Sequence, residues 1–269
     1  MQRDMQRIGE AAGIAAAMAA KVGITPRQLD VARLQAELRR VGALDETMRP
    51  KPALPEPGTP TVKELLSSDK PFEAAWPLAQ SAQGGLPAVR DALHSSVPAT
   101  RFWASVVLAM QKQKEAAPEL MACVRERRAE KTTTLEKAAP HWHGAIVMLG
   151  RVGDPAAVPV LADVLHDRAA SMDVIIAAVR ALGRIGDHAG IAPIEEMLQR
   201  TDIDTIRRFQ VSSGIPTGVS DDAAWQLRLA AAESLAKLGK PRPDIVRPFM
   251  DDERAYVRRY AARVMEMGK

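Results

Sequence analysis

The sequence predicts an all-α fold: an α-solenoid of about five stacked helix pairs plus a terminal helix, preceded by a small helical segment and a Pro-rich linker. Three observations predict it. A motif repeats, since Leu149-Gly150-Arg151-Val152-Gly153-Asp154 returns as Leu182-Gly183-Arg184-Ile185-Gly186-Asp187, 33 residues on. The apolar residues after each copy keep step, with Val158, Leu161, Val164 and Leu165 answering Ile191, Ile194, Met197 and Leu198 at the i, i+3, i+6, i+7 spacing of one helix stripe. Aromatic residues make up only 4% of 269, whereas Ala and Leu abound, which favours closely packed helices over a sheet.

The first segment spans residues 1–43. Ile8 to Ala20 reads as a helix made almost wholly of small residues, whose surface lets another backbone or a ligand approach closely. A turn, Gly23-Ile24-Thr25-Pro26, and a second helix, Leu34 to Ala43, follow. This order resembles the C-terminal edge of the FAD-dependent oxidoreductases of the glutathione-reductase-like flavoprotein superfamily. Those close with a G-x-A-x-G-x-A-A-A-x-A helix, a G-[IV]-x-P turn and an L-Q-x-x-L-x-x-x-G-A helix. The match covers about a sixth of the chain. The resemblance implies that the chain is the C-terminal fragment of such an enzyme, with Gly9, Glu10, Ala11, Ala12 and Gly13 facing FAD in the full-length parent. Glu10 departs from the uncharged residue many relatives carry. Read from the residues alone, the same segment is an Ala-rich packing helix with a small face of Gly9, Gly13 and Ala17. The Rossmann turn that holds an adenine dinucleotide is missing, so no cofactor is expected for this chain by itself.

The run Ala11 to Ala20 is not a secretion signal, because it is mostly Ala, contains Gly13 and follows Asp4 and Glu10. Ten residues are also too few to span a bilayer. A fragment lacks its parent's targeting segment, so the compartment stays open: soluble, cytoplasmic or exported with the parent.

Residues 44–61 form the linker. Pro50, Pro52, Pro55, Pro57 and Pro60 fall together with Gly58. Proline fixes φ and lacks an N–H, so the stretch reads as an extended spacer open to proteolysis.

Residues 62–269 hold the repeats. Asp154 suits a helix N-cap and Pro155 a first turn, while Gly150 and Gly153 are expected to end the first helix of that pair. Weaker copies flank the clear ones. Leu108-Ala109, Pro118, Leu120, Cys123 and Val124 match Leu149-Gly150, Pro159, Leu161, Val164 and Leu165 after an eight-residue insertion at Glu126 to Thr133. Phe72 to Leu78 and Leu86 to Leu93 make an earlier pair, and Leu227 to Ala232 recurs as Val257 to Ala262. The pattern resembles the short HEAT-like repeats also found in phycobilin lyases. One such pair cannot bury its apolar stripe alone, so neighbours stack and share a core. The concave face is expected on the second helices. One repeat carries about twenty extra residues, at about 201–222, read as a loop that either binds a partner or is simply tolerated. The candidate partner-binding residues are Arg151, Arg184 and Lys237 at the ends of first helices, with Ile215 and Thr217 in the loop.

Catalytic chemistry is scarce. No glycine-rich fingerprint follows a strand, and no Walker loop or Ser-His-Asp set has recognisable context. His141 and His143 sit two apart on a helix and point about 200° apart, so they do not form a metal pair. Cys123 falls at an apolar helix position as a small core residue. The net charge is +4, and residues 225–269 hold Arg228, Lys237, Lys240, Arg242, Arg247, Arg254, Arg258, Arg259, Arg263 and Lys269, but acids alternate with them.

The function expected is a repeat module that binds a protein partner or sister domain, not catalytic as an isolated chain, joined to an FAD-dependent oxidoreductase parent. The alternatives are a complete scaffold or adaptor with no redox role, and a basic solenoid that binds nucleic acid.

Overall fold

The computed structural model describes residues 2–44, 61–68, 70–80, 86–130, 139–210 and 218–268. Their contacts divide the chain into two units, residues 1–53 and 54–269.

The first unit holds α1 (Gln2–Val22) and α2 (Val31–Arg40). Gly23 ends α1 at φ +71°, a left-handed conformation that side-chain-bearing residues resist. Asp30 then caps α2, its carboxylate accepting from the Ala32 N–H at 2.8 Å. Ala19 of α1 and Leu38 of α2 are buried, but Ile8, Val22 and Val31 stay more than half exposed. Most of the expected linker, residues 45–60, lies outside the described residues.

The second unit opens with a short helix the sequence did not announce, α3 (Val62–Leu66). A capping box starts it: the Glu64 N–H donates to Thr61 Oγ1 at 3.2 Å, and the Thr61 N–H to Glu64 Oε2 at 2.6 Å. Five helix pairs follow: α4 (Pro71–Gln80) with α5 (Leu86–Ala92), α6 (Pro98–Met110) with α7 (Ala117–Arg125), α8 (His141–Val152) with α9 (Val158–His166), α10 (Met172–Ile185) with α11 (Ile191–Leu198), and α12 (Ala224–Lys237) with α13 (Pro243–Val246). The terminal helix is α14 (Ala255–Glu266). The first helices α4, α6, α8, α10, α12 and α14 pack each on the next in one row, with the second helices of the middle pairs contacting one another behind them. This is the all-α, HEAT-like solenoid the sequence predicts.

The corners between paired helices follow local chemistry. Gly153 and Gly186 stop α8 and α10 in the left-handed region at φ +73° and +79°. Asp154 and Asp187 then accept the N–H of Ala156 at 3.0 Å and of Ala189 at 2.8 Å, each capping a short 3-10 turn that leads into the second helix.

Gly150 departs from expectation. It does not end α8 but lies inside it, where a Cβ would stand 2.6 Å from the Ala181 Cα of α10. The missing side chain serves close helix approach and not the turn.

The core runs continuously through the row. Leu108, Ile146, Leu149, Leu161, Ile175, Leu182 and Ile194 are all fully buried, and removing each such side chain from water contributes about 1.5–3 kcal/mol. A smaller cluster around Leu229, Val246, Val257 and Ala261 closes the last repeat.

The extra residues also depart from expectation. They form an antiparallel hairpin, β1 (Ile206–Gln210) and β2 (Gly218–Asp222), in the register Ile206 to Asp222 through Gln210 to Gly218. Its tip, residues 211–217, lies outside the described residues, and with it the candidates Ile215 and Thr217.

Candidate functional site

On α10, Asp173, Ala177, Arg180 and Arg184 fall at i, i+4, i+7 and i+11, one stripe of the helix. This stripe faces away from the second helices. It forms the centre of a groove of about 600 Å³, lined on one side by His143 and Val147 of α8 and on the other by Trp225 and Gln226 of α12 and Tyr260 of α14. Arg207 of β1 adds a further wall. The sequence placed the binding face on the second helices. The groove opens along the first helices because the hairpin, inserted between α11 and α12, contributes that wall.

Arg207 is fixed from two directions. Its guanidinium forms an ion pair with Asp173 of α10, and Nη2 donates to Gln226 Oε1 of α12 at 3.0 Å. Tyr260 forms the second brace. Its hydroxyl donates to Glu233 Oε2 at 2.5 Å, while the nearby positive charge of Arg180 favours the ionised phenol only slightly. Burial and the Glu233 carboxylate together push the phenol up to about 12, so it stays neutral.

Glu233 is answered by Lys237 at 2.8 Å and Arg263 at 3.5 Å. Burial raises its pKa, but the hydrogen bonds from Lys237 and Tyr260 outweigh this and hold it below the ordinary carboxylate value. His143 is pushed down by burial, against the pull of Asp173, and is therefore uncharged at neutral pH.

The charges of Arg180 and Arg184 are left over. Both are exposed, and among the described residues neither forms an ion pair. Beside them Val147, Ile176 and Ala177 give an apolar floor. The ring of Trp225 is engaged by Arg254 at 5.6 Å and by Tyr256 at 5.6 Å, and that of Tyr260 by Arg263 at 5.0 Å.

Of the other candidates, Arg151 donates to the Met110 carbonyl at 3.0 Å, and Lys237 is held by Glu233; neither lines the groove. Arg184 does. Gly9, Glu10, Ala11, Ala12 and Gly13 lie in the interior of α1, where amide N–H groups bond the carbonyls four residues back. They therefore offer no free helix-terminal donors to a flavin pyrophosphate. A cleft of about 530 Å³ within this unit is lined by Met18, Lys21, Leu29 and Arg33, among others, and not by those five residues.

His141 and His143 are separated as helix geometry requires. His141 is buried and stacks on Phe102 at 4.0 Å, and His143 faces the groove. Many cations of residues 225–269 are already paired: Lys240 and Arg242 with Glu195, Arg242 also with Asp244, and Arg254 with Asp252 and Asp221.

HEAT repeats match residues 142–212, from α8 into the hairpin. A comparison with curated proteins finds no match. Among solved structures, the complex of CpcE and CpcF of phycocyanin lyase from a Nostoc species is similar at 23% identity and a TM-score of 0.47, covering 71% of this chain and 67% of that one. Human deoxyhypusine hydroxylase in complex with glycerol is similar at 15% identity and a TM-score of 0.35, covering 98% of both chains. No helix among the described residues is long and apolar enough to cross a membrane.

Proposed function

We propose that residues 62–269 act as a HEAT-like scaffold that binds a protein partner along the groove of its first helices, and that this unit is not itself an enzyme. The observation that carries the reading is the pair of uncompensated arginines, Arg180 and Arg184, beside an apolar floor in a groove spanning α8 to α14. Half-buried apolar side chains open to a groove beside unpaired charge suit a binding face. Nucleic acid is the weaker reading, because Asp173 lies in the groove, both rings are already engaged, and many cations of the last repeat are paired.

The test is a photo-crosslinking amino acid placed at Ala177 in the groove or at exposed Asp163 on α9. With the protein expressed in its source cells, a discrete adduct is expected at position 177 and not at 163. The captured protein, purified, should then bind the unmodified chain directly. Adducts at 163 alone, or at neither position, would remove the proposal.

Residues 1–43 carry a second proposal, that they pack as the closing helices of an FAD-dependent oxidoreductase domain in a longer protein. The exposed Ile8, Val22 and Val31 favour it, together with the open space around Gly9 and Gly13, where a Cβ would meet nothing within 4 Å. The interior position of Gly9 to Gly13 limits their role to packing. An in-frame coding region upstream, carrying a strand followed by G-x-G-x-x-G, is the expected finding; a stop codon there would end this reading.

A further inference from the structure

We infer that the groove is built for a short acidic segment of a partner protein, one in which carboxylates alternate with aliphatic side chains. This rests on the reading of the groove as a protein-binding face and names the chemistry of its occupant. The charged groups facing the groove are Arg180, Arg184, Arg207 and Asp173; Arg207 and Asp173 neutralise one another, and His143 is uncharged at neutral pH. Among the described residues, the groove therefore carries two positive charges with no ion-pair partner. They stand one turn apart on α10, where side chains at i and i+4 lie about 5–6 Å apart at Cβ, close enough to converge on one carboxylate. A guanidinium fork matches a carboxylate in two parallel hydrogen bonds, which makes arginine the residue suited to this task.

Tyr260, which also lines the groove, is held by Glu233 and is neutral, so it bounds the site without cancelling the charge of Arg180. Next to the arginines, Val147, Ile176 and Ala177 are shielded from one side by the helices and open to the groove on the other, which suits an aliphatic side chain adjacent to the carboxylate. A phosphate backbone fits less well. It requires a run of cations along its track and bare aromatic faces for bases, whereas here Asp173 interrupts the run and Arg254 and Arg263 sit over the rings.

The test uses the full chain and fluorescence anisotropy. The probes are a fluorescein-labelled peptide of repeated Glu-Glu-Leu, its Lys-Lys-Leu counterpart, and a single-stranded DNA oligonucleotide of the same net charge as the acidic peptide. The acidic peptide is expected to bind and the basic one not. Arg180→Glu and Arg184→Glu should each weaken the acidic peptide by about tenfold or more, the scale of one charge-assisted contact, and Arg184→Lys by less. Arg228→Glu and Arg259→Glu, exposed and outside the groove, should leave it unchanged. Unaltered far-ultraviolet circular dichroism establishes that each variant is folded. No binding of the acidic peptide, equal losses from the outside variants, or tighter oligonucleotide binding abolished by the groove variants would each overturn the inference. Crosslinking at Ala177 to a partner whose affinity is untouched by Arg180→Glu and Arg184→Glu would overturn it too, while leaving the protein-binding reading in place.

Discussion

Gly183 of α10 lies directly against Ser234 of α12: a Cβ in place of its hydrogen would stand 2.6 Å from the Ser234 hydroxyl oxygen and 2.7 Å from the Ser234 Cβ. The repeat before it makes the same contact, with Gly150 against the Ala181 Cα at 2.6 Å. Successive first helices therefore approach through a glycine on one and a small residue on the next. Gly to Ala inside a helix gains about 1 kcal/mol in propensity. Overpacking a closed interface costs about 1–3 kcal/mol, and here, where the obstruction is backbone or Cβ and cannot rotate aside, the cost falls at the upper end, about 2–3 kcal/mol. Gly183→Ala and Gly150→Ala should each lose about 1–2 kcal/mol in urea denaturation, and Ser234→Gly should restore much of the loss in Gly183→Ala. A stability equal to or above that of the parent would show that the helices slide apart freely.

Cys123 is fully buried among apolar neighbours, and that burial pushes its thiol up to about 12. The thiolate is the reactive form, so the native protein at pH 8 should not react with an aromatic disulfide reagent on the minutes timescale. Full reaction is expected once denaturant unfolds the chain. Prompt labelling of folded protein would mean that α7 opens far more easily than its packing implies.

The repeat spacing was legible because both of its causes are local. The apolar stripe of α9 and α11 and the capping of each corner by Asp154 and Asp187 are written within a dozen residues. The hairpin was not, since Arg207, Arg208 and Phe209 follow an Asp-rich turn with no strong alternation, and the strands are set by pairing each other across 211–217. The groove was half legible. Arg184 stood out from the repeated motif, and Arg180 shares its helix face. What converts that face into a groove comes from Arg207, Trp225 and Tyr260, brought from two other helices and a strand. No spacing rule along the chain encodes such a meeting. Gly150 was misread because a glycine near a helix end suggests a stop, whereas its real neighbour is 31 residues away at Ala181.

Acid should weaken the last repeats over a defined pH window. A hydrogen bond from the Arg254 guanidinium, with another from the Arg254 backbone N–H, holds Asp252 at about 2 against an ordinary 3.8. Arg200 does the same for Asp202, also to about 2. A carboxylate more acidic in the folded chain than in the unfolded one adds stability above its unfolded pKa, and that stability disappears as pH falls through the folded one. Stability should therefore decline between about pH 4 and pH 2. Asp252→Asn and Asp202→Asn should be less stable than the parent at neutral pH, and the gap should narrow towards pH 2. Melting temperatures recorded across this range check it; parallel curves for parent and variants would show that these pairs exert no pull.

The hairpin is tied in too firmly to be a tolerated insertion. Arg207 joins β1 to Asp173 of α10 and Gln226 of α12, Asp221 of β2 pairs with Arg254 at 3.2 Å, and Asp222 accepts from the Ala224 N–H at 2.9 Å at the start of α12. The ion pairs are partly exposed, so each contributes at most about 1 kcal/mol, and the Asp222 hydrogen bond to the Ala224 N–H adds a comparable amount. Replacing Ile206 to Asp222 by a short Gly-Ser bridge should therefore lower stability by up to about 3 kcal/mol, the sum of those modest terms. Arg207→Ala, which leaves the Asp222 bond intact, should cost at most about 1 kcal/mol. The two variants separate the roles of the hairpin. If it mainly shapes the groove, Arg207→Ala will weaken the acidic peptide while lowering the melting temperature by no more than about 2–4 °C, the shift that about 1 kcal/mol implies. An unchanged melting temperature in the bridged variant would return the insertion to a passive decoration of the solenoid.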